Sequence, residues 1–225
     1  MRQTLIGLAV MLALAQRAIG YAEGVPSPCP TPYSIISFTP GKPLKDDGWQ
    51  EKVYNRPASW EVIQDKQGCV LHCTSDGSAS MLYRDIDYDV KDYPLLRWRW
   101  KVTRLPRKGT ENDRAHDDYG ARVYIFFPGW TFLTSYVLEY VWDNETPAGT
   151  VKTSPSSAKC KLIVVNSGRG ELGKWITVER NLREDYTKAF GFETDRAVGG
   201  VGFMSDSDNT SSSAEAYYGT LTIGK

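Results

Sequence analysis

Histidine is nearly absent: the 225 residues include two, His72 and His116, beside four cysteines. Neither histidine stands at ligand spacing from a cysteine pair, which argues against a structural zinc site. Net charge is absent as well, with 27 lysines and arginines against 27 aspartates and glutamates. The chain therefore lacks the field that would steer it to nucleic acid or to a membrane surface, and nucleic acid is not expected as a partner. It has no glycine loop to cradle phosphate and no nucleophile elbow, so phosphoryl transfer and Ser-His-Asp chemistry find no motif. After Ala15 no long apolar run recurs, and a membrane-spanning helix needs ~20 such residues. No transmembrane segment is expected downstream.

What is present begins with an address. Arg2, the apolar run Leu5–Ala15 and the small residues of Gly20-Tyr21-Ala22 form the three parts of a secretory signal. Cleavage is expected after Ala22, or alternatively after Gly20, which places the mature chain in the periplasm or outside the cell. The division that follows is a signal peptide over 1–22, an extended Pro- and Ser-rich lead-in over 23–48, and one domain over 49–225.

All four cysteines, Cys29, Cys69, Cys73 and Cys160, fall in the exported part, where disulfides form. If Cys69 and Cys73 share a strand, their Cα atoms lie ~13 Å apart, beyond the ~7 Å limit of a disulfide. The expectation is that each pairs with Cys29 or Cys160, in either connectivity.

From the lead-in onward, apolar residues recur with period two. In Leu96-Arg97-Trp98-Arg99-Trp100-Lys101-Val102 the apolar set faces one way and the basic set the other. In Ala121–Phe127, residues Val123, Ile125 and Phe127 face inward and Arg122, Tyr124 and Phe126 outward. Further strands are expected at 34–38, 60–64, 69–73, 80–85, 135–142, 160–166, 175–180, 198–204 and 216–223. Many short strands punctuated by turn residues predict an all-β fold, a two-sheet antiparallel sandwich of jelly-roll type. One helix is expected after Asn181, which forms a capping box with Glu184, and it stops at Gly191.

Several motifs occur in a fixed order: Leu96-Arg97-Trp98-Arg99-Trp100, Asp117-Asp118-Tyr119-Gly120-Ala121-Arg122-Val123-Tyr124, Tyr140-Val141-Trp142, Asp185-Tyr186, and Asp206-Ser207-Asp208-Asn209-Thr210. On these the chain from about Trp49 onward resembles a bacterial family of exported domains catalogued without an assigned function. The resemblance implies a sandwich fold in an envelope protein and no particular activity. At His116 the chain departs from it, since a glycine is expected before the paired aspartates.

Three constellations could carry function. The first is the acidic loop ending in His116, Asp117, Asp118 and Tyr119, which leads into Arg122 and Tyr124. Adjacent carboxylates call for a cation, an arginine or a shared proton. The second is Asp206, Asp208 and Asn209, which resembles half of a calcium loop, although Ser211 and Tyr217 stand where an EF-hand needs glycine and glutamate. The third is the outward set Arg97, Arg99, Lys101, Arg122 and Tyr124. If the two strands are neighbours, cations and rings share one surface suited to an acidic polysaccharide. Trp142, near a strand end, is expected to join it.

The expected function is therefore an exported envelope protein that binds a glycan or another envelope ligand. The alternatives are a polysaccharide-active enzyme and a structural envelope component. As a lyase, Arg122 would neutralise a uronate while His116 or Tyr124 moved the proton. As a hydrolase, Glu139 would act beside Asp117 or Asp118.

Overall fold

The alternating pattern folds into two stacked sheets. The computed structural model describes residues 34–66, 68–107, 117–131 and 134–225. The signal segment, Cys29 and His116 lie outside these. The first sheet holds β1 (Ser34–Ile36), β3 (Ser59–Asp65), β4 (Gly68–Asp76), β6 (Leu95–Arg104), β11 (Ile176–Asn181), β13 (Ser213–Tyr218) and β14 (Leu221–Gly224). The second runs in the order β2 (Gln50–Val53), β5 (Ser80–Asp89), β12 (Ala197–Met204), β7 (Ala121–Phe127), β8 (Tyr136–Asp143), β10 (Ser157–Ser167) and β9 (Val151–Ser154). This is a two-sheet sandwich of jelly-roll type. Every pairing is antiparallel except that of β8 with β10, which is parallel. No helix among the described residues is long and apolar enough to cross a membrane.

The strand expected over 216–223 is two strands in tandem along one edge of β6, whose other edge carries β11. The break falls at Gly219, whose N–H donates to the Arg99 carbonyl at 2.9 Å. The Arg99 side chain crosses this glycine closely enough that an added Cβ would meet its Cγ at 2.5 Å, so any side chain here would push the arginine aside. Two four-residue strands at or near the sheet edge, β2 and β9, were not expected.

The core forms where β6 faces β7 and β8. Trp98, Trp100, Val123, Ile125, Tyr140 and Trp142 are all buried. Trp98 lies 5.0 Å from Tyr140, and Trp100 lies 6.1 Å from Trp142, between ring centroids. Trp142 is thus a core residue whose Nε1 donates to the Gly168 carbonyl. This corrects its expected role at a ligand surface, because proximity to a strand end does not expose a side chain whose alternation points inward.

The two β6 tryptophans differ in their polar atoms. Trp100 Nε1 donates to Asn166 Oδ1 at 2.9 Å, whereas Trp98 Nε1 is buried with no partner among the described residues. Phenylalanine at either position removes a similar volume. The Trp100→Phe variant should therefore unfold about 1–2 kcal/mol more easily than Trp98→Phe, the cost of stranding the Asn166 carbonyl. Urea midpoints of the two variants measure that difference, and equal midpoints would refute it.

The helix α1 (Leu182–Phe190) forms as its capping box predicts: the Asn181 side chain accepts from the Arg183 and Glu184 amides and donates to Glu184 Oε1. Gly191 ends it at φ 81°. The helix buries Leu182 and Tyr186, and it sets Asp185 against Arg180 and the Tyr140 hydroxyl.

The cysteine expectation is corrected. Among the described residues Cys69, Cys73 and Cys160 are free thiols, so neither cysteine of β4 pairs with Cys160; the expected bond to Cys29 lies outside these residues. Cys73 lies in the core between the sheets, while Cys160 lies on the second sheet with its Sγ 3.5 Å from Glu139 Oε2. A sheet therefore stands between them. Burial pushes both thiols well up from their ordinary range, so they are poor nucleophiles.

Candidate functional site

Alternation along β7 puts Arg122, Tyr124 and Phe126 on the outer face of the second sheet. The basic set of β6 lies on the outer face of the first, which overturns the shared surface expected for them. Arg97 is held by Glu179, 2.6 Å from its carboxylate, and Arg99 sits over the Trp175 ring at 4.8 Å. Lys101 lies over Tyr217 at 4.1 Å and within 3.4 Å of Asp65. None of these reaches the Arg122 side of the molecule.

Arg122 faces outward, yet it is only 4% exposed. Its five N–H donors all have acceptors. Nε donates to Asp206 Oδ1 at 2.8 Å, and Nη1 donates to Glu139 Oε1 at 2.7 Å and to the Tyr124 hydroxyl at 3.3 Å. Nη2 donates to the Asp117 carbonyl and to Asp206 Oδ2. The guanidinium also lies over the Tyr119 ring, 4.4 Å from its centroid. Burial alone would lower its pKa, but Asp206, Tyr124, Glu139 and Asp117 hold it well above the usual value. Arg122 is therefore a fixed cation with no donor left for a ligand, so its expected role in gripping a uronate is corrected to one of positioning.

The paired aspartates divide their work. Asp118 is buried and accepts from the amide and side chain of Asn209 and from the amide and hydroxyl of Thr210. It ties the turn after β12 to the strand entry. The Asp117 side chain is a quarter exposed, but its Oδ1, ion-paired with Arg122 Nη1 at 3.7 Å, is itself buried and accepts no hydrogen bond among the described residues. Burial, with help from Glu139, Asp118 and Asp208, raises its pKa to about 6 against the pull of Arg122. Tyr119, expected at the ligand, is buried against Val141, Leu162 and Val164.

Calcium at Asp206, Asp208 and Asn209 does not fit this donor set. Carboxylate oxygens of Asp118, Asp206 and Asp208 do lie within 4.8 Å of one another. Both oxygens of Asp206, however, already accept from Arg122, and Tyr119 N–H adds a third bond. The Asn209 amide nitrogen points at Asp118, as the Thr210 hydroxyl does. A cation would have to displace an arginine and several N–H groups that neutralise the same oxygens.

Beside this network lies an aromatic surface that sequence reasoning did not single out. Tyr54, Tyr83, Tyr124 and Phe126 are half-buried and pack on Ala79, Met81 and Met204. The Tyr124 and Phe126 rings stand parallel, 6.1 Å apart and 7° from coplanar orientation. Tyr83 donates to Gln50 Oε1 at 3.1 Å. Phe126 also covers Gly200 on β12, where a Cβ would approach its ring to 3.2 Å. Burial raises the hydroxyl pKa of Tyr54 and of Tyr124, so both remain protonated donors. The available signal was the alternation itself, which lists Tyr124 and Phe126 on one outward face.

Solved structures similar to the chain include the xyloglucanase domain of a type three effector from Sinorhizobium fredii, with 12% identity, 86% of this chain and 97% of that chain covered, and a TM-score of 0.48. The family 30 carbohydrate-binding module of a Clostridium thermocellum cellulosomal cellulase gives 9% identity, coverage of 85% and 98%, and a TM-score of 0.45. Endoglucanase Cel12A from Rhodothermus marinus gives 9%, coverage of 78% and 95%, and 0.44. No curated protein matches the sequence. A family model, described as Protein of unknown function (DUF3047), matches residues 47–222, and the chain belongs to that family.

Proposed function

We propose that this protein binds a glycan on the outer face of its second sheet. The observation that carries the reading is the half-open surface of Tyr54, Tyr83, Tyr124 and Phe126, built on strands and the turn beside them. Aromatic faces stack on the apolar faces of sugar rings while tyrosine hydroxyls bond their edges. The Arg122 network fixes the Tyr124 hydroxyl, so little side-chain freedom is lost on binding. The secretory pattern of 1–22 supports a location in the periplasm or outside the cell, where such polymers occur.

Hydrolysis is less well supported. Glu139 is 1% exposed, with one oxygen on Arg122 and the other beside Cys160. It cannot approach a sugar carbon from there, which leaves Asp117 without a partner carboxylate.

Affinity electrophoresis through neutral polysaccharides, followed by calorimetry with oligosaccharides, tests the reading. Substituting both Tyr124→Ala and Phe126→Ala should weaken binding by about tenfold or more, since each lost stacking contact is worth ~0.5–1.5 kcal/mol. Unchanged retention of the double variant would remove this face as the site. Release of reducing ends from any polymer would instead support the enzyme reading.

A further inference from the structure

Of the seven tryptophans, one is held away from the fold. Trp49, Trp98, Trp100 and Trp142 are buried and Trp60 and Trp175 are half-buried, whereas Trp130 is 93% exposed. The loop between β7 and β8 that carries it is nonetheless closely pinned. Gly129 N–H donates to Ser135 Oγ and Thr131 N–H to Thr134 Oγ1, each at 3.0 Å. The Thr134 amide, the Thr134 hydroxyl and the Ser135 hydroxyl all donate to the Thr131 carbonyl. Arg196 clamps both shoulders by donating to the Pro128 and Thr134 carbonyls. A Cβ on Gly129 would meet the Thr134 carbonyl at 2.5 Å, so the loop closes too tightly there for a side chain. A ring of this size gains by burial, and a polar cage that points it into water forgoes that gain within the chain.

The strand β7 sets its distance from the aromatic face. Phe126, the last outward ring of that strand, covers Gly200 of β12, and the Pro128 ring rests on the neighbouring Gly199. The exit of β7 is thus packed against β12. Trp130 follows directly, its Cα within ~14 Å of that of Phe126, the reach of four residues.

Resting on the glycan-binding reading above, we infer that Trp130 is a further sugar-stacking ring beyond the sheet, and that the ligand is a polymer long enough to lie on Tyr124 and Phe126 and reach it. The amount of exposed surface selects this occupant. A sugar needs one aromatic face, and an aromatic side chain offers ~150–250 Å². A second copy of the chain would need ~800 Å² from each partner, and the other large apolar residues exposed among the described ones are Val53 and Phe192, too few to supply it. A lipid surface meets the wrong charge: the connection from α1 to β12 that ends in Arg196 exposes Glu193 and Asp195, which repel anionic headgroups.

Iodide quenching of tryptophan emission from the purified full chain tests this, because Trp130 is the one exposed indole. The probes are mixed-linkage β-glucan, xylan, galactomannan, and vesicles of phosphatidylcholine with phosphatidylglycerol. A polymer that binds should shield the quenchable emission, and the shielding should fail at the same polymer concentration in the Tyr124→Ala, Phe126→Ala double variant. Trp130→Ala should bind that polymer about twofold to tenfold more weakly and should melt with the parent, since an exposed side chain contributes little to stability. Binding that needs Tyr124 and Phe126 while Trp130 stays quenchable and Trp130→Ala keeps the parental affinity would overturn this inference and leave the glycan reading standing. Binding of none of the three polymers would overturn both. Shielding by vesicles, or by a higher protein concentration alone, without shielding by a polymer would replace the sugar as occupant with a lipid surface or a second copy.

Discussion

Replacing Arg122 with methionine should lower the unfolding free energy by about 3–5 kcal/mol, the usual cost of deleting one partner of a buried ionic network. Asp206 is 2% exposed and Glu139 1%, and neither can turn to water for the hydrogen bonds that the guanidinium supplies. The loss would spread, because Arg122 also holds the Asp117 carbonyl and the Tyr124 hydroxyl, joining the entry of β7 to the end of β12. Lysine should rescue little, since one ammonium cannot reproduce a planar fork that reaches five acceptors. Adding Asp206→Asn and Glu139→Gln to the methionine variant should recover part of the loss by removing the stranded charges. Urea midpoints at constant m give the comparison. A loss below ~1 kcal/mol for Arg122→Met would show that the network is not the keystone described.

Arg122 marks what the sequence can and cannot convey. Period-two alternation in Ala121–Phe127 gave the strand its bounds and correctly turned Arg122 outward. It carries no information on which strand lies next door, so β6 and β7, each clear in isolation, could be imagined side by side when they lie in opposite sheets. Nor does outward mean solvent-facing, since Arg122 is buried. The segment 117–119 and the turn after β12 close over that face, and this long-range packing has no local signature. Asp206 looked like a cation ligand for the same reason: its oxygen-rich neighbourhood is local, whereas the arginine that satisfies it is 84 positions away in the chain. The Asn181 cap was legible because all of its bonds are made within three residues. The strands β2 and β9 escaped notice because each has four residues, mostly polar, too few to show a period. Compartment and spacing alone cannot tell that Cys160 sits outside one sheet while Cys73 lies between the two.

Stability should fall as pH rises from about 4 to 6, opposite to the behaviour of a protein held together mainly by salt-bridged carboxylates. The Asp117 carboxyl has its ordinary value of 3.8 when unfolded and about 6 when folded. Between these values the native state binds more protons than the unfolded chain, so raising the pH favours unfolding. The contribution is fully present below the unfolded value and is lost as pH climbs through the folded one. A shift of this size corresponds to about 2–3 kcal/mol at 1.36 kcal/mol per unit, with the lower figure allowing for the exposed quarter of the side chain. Asp208 is also raised, chiefly by burial, and acts in the same direction. Asp143 and Glu215 are lowered despite burial, the first by the Glu145 and Thr146 amides and the second by the Thr103 and His72 bonds. Their contributions begin to fade as pH falls through the unfolded values of 3.8 and 4.5, so they oppose the trend only at the lower end of this window. Urea midpoints at pH 4.5 and pH 7 should therefore favour the more acidic condition, and Asp117→Asn, which keeps the shape without the charge, should flatten the difference. A midpoint that rises toward pH 7 in the unaltered protein would show that the pull of Arg122 outweighs the burial of Asp117.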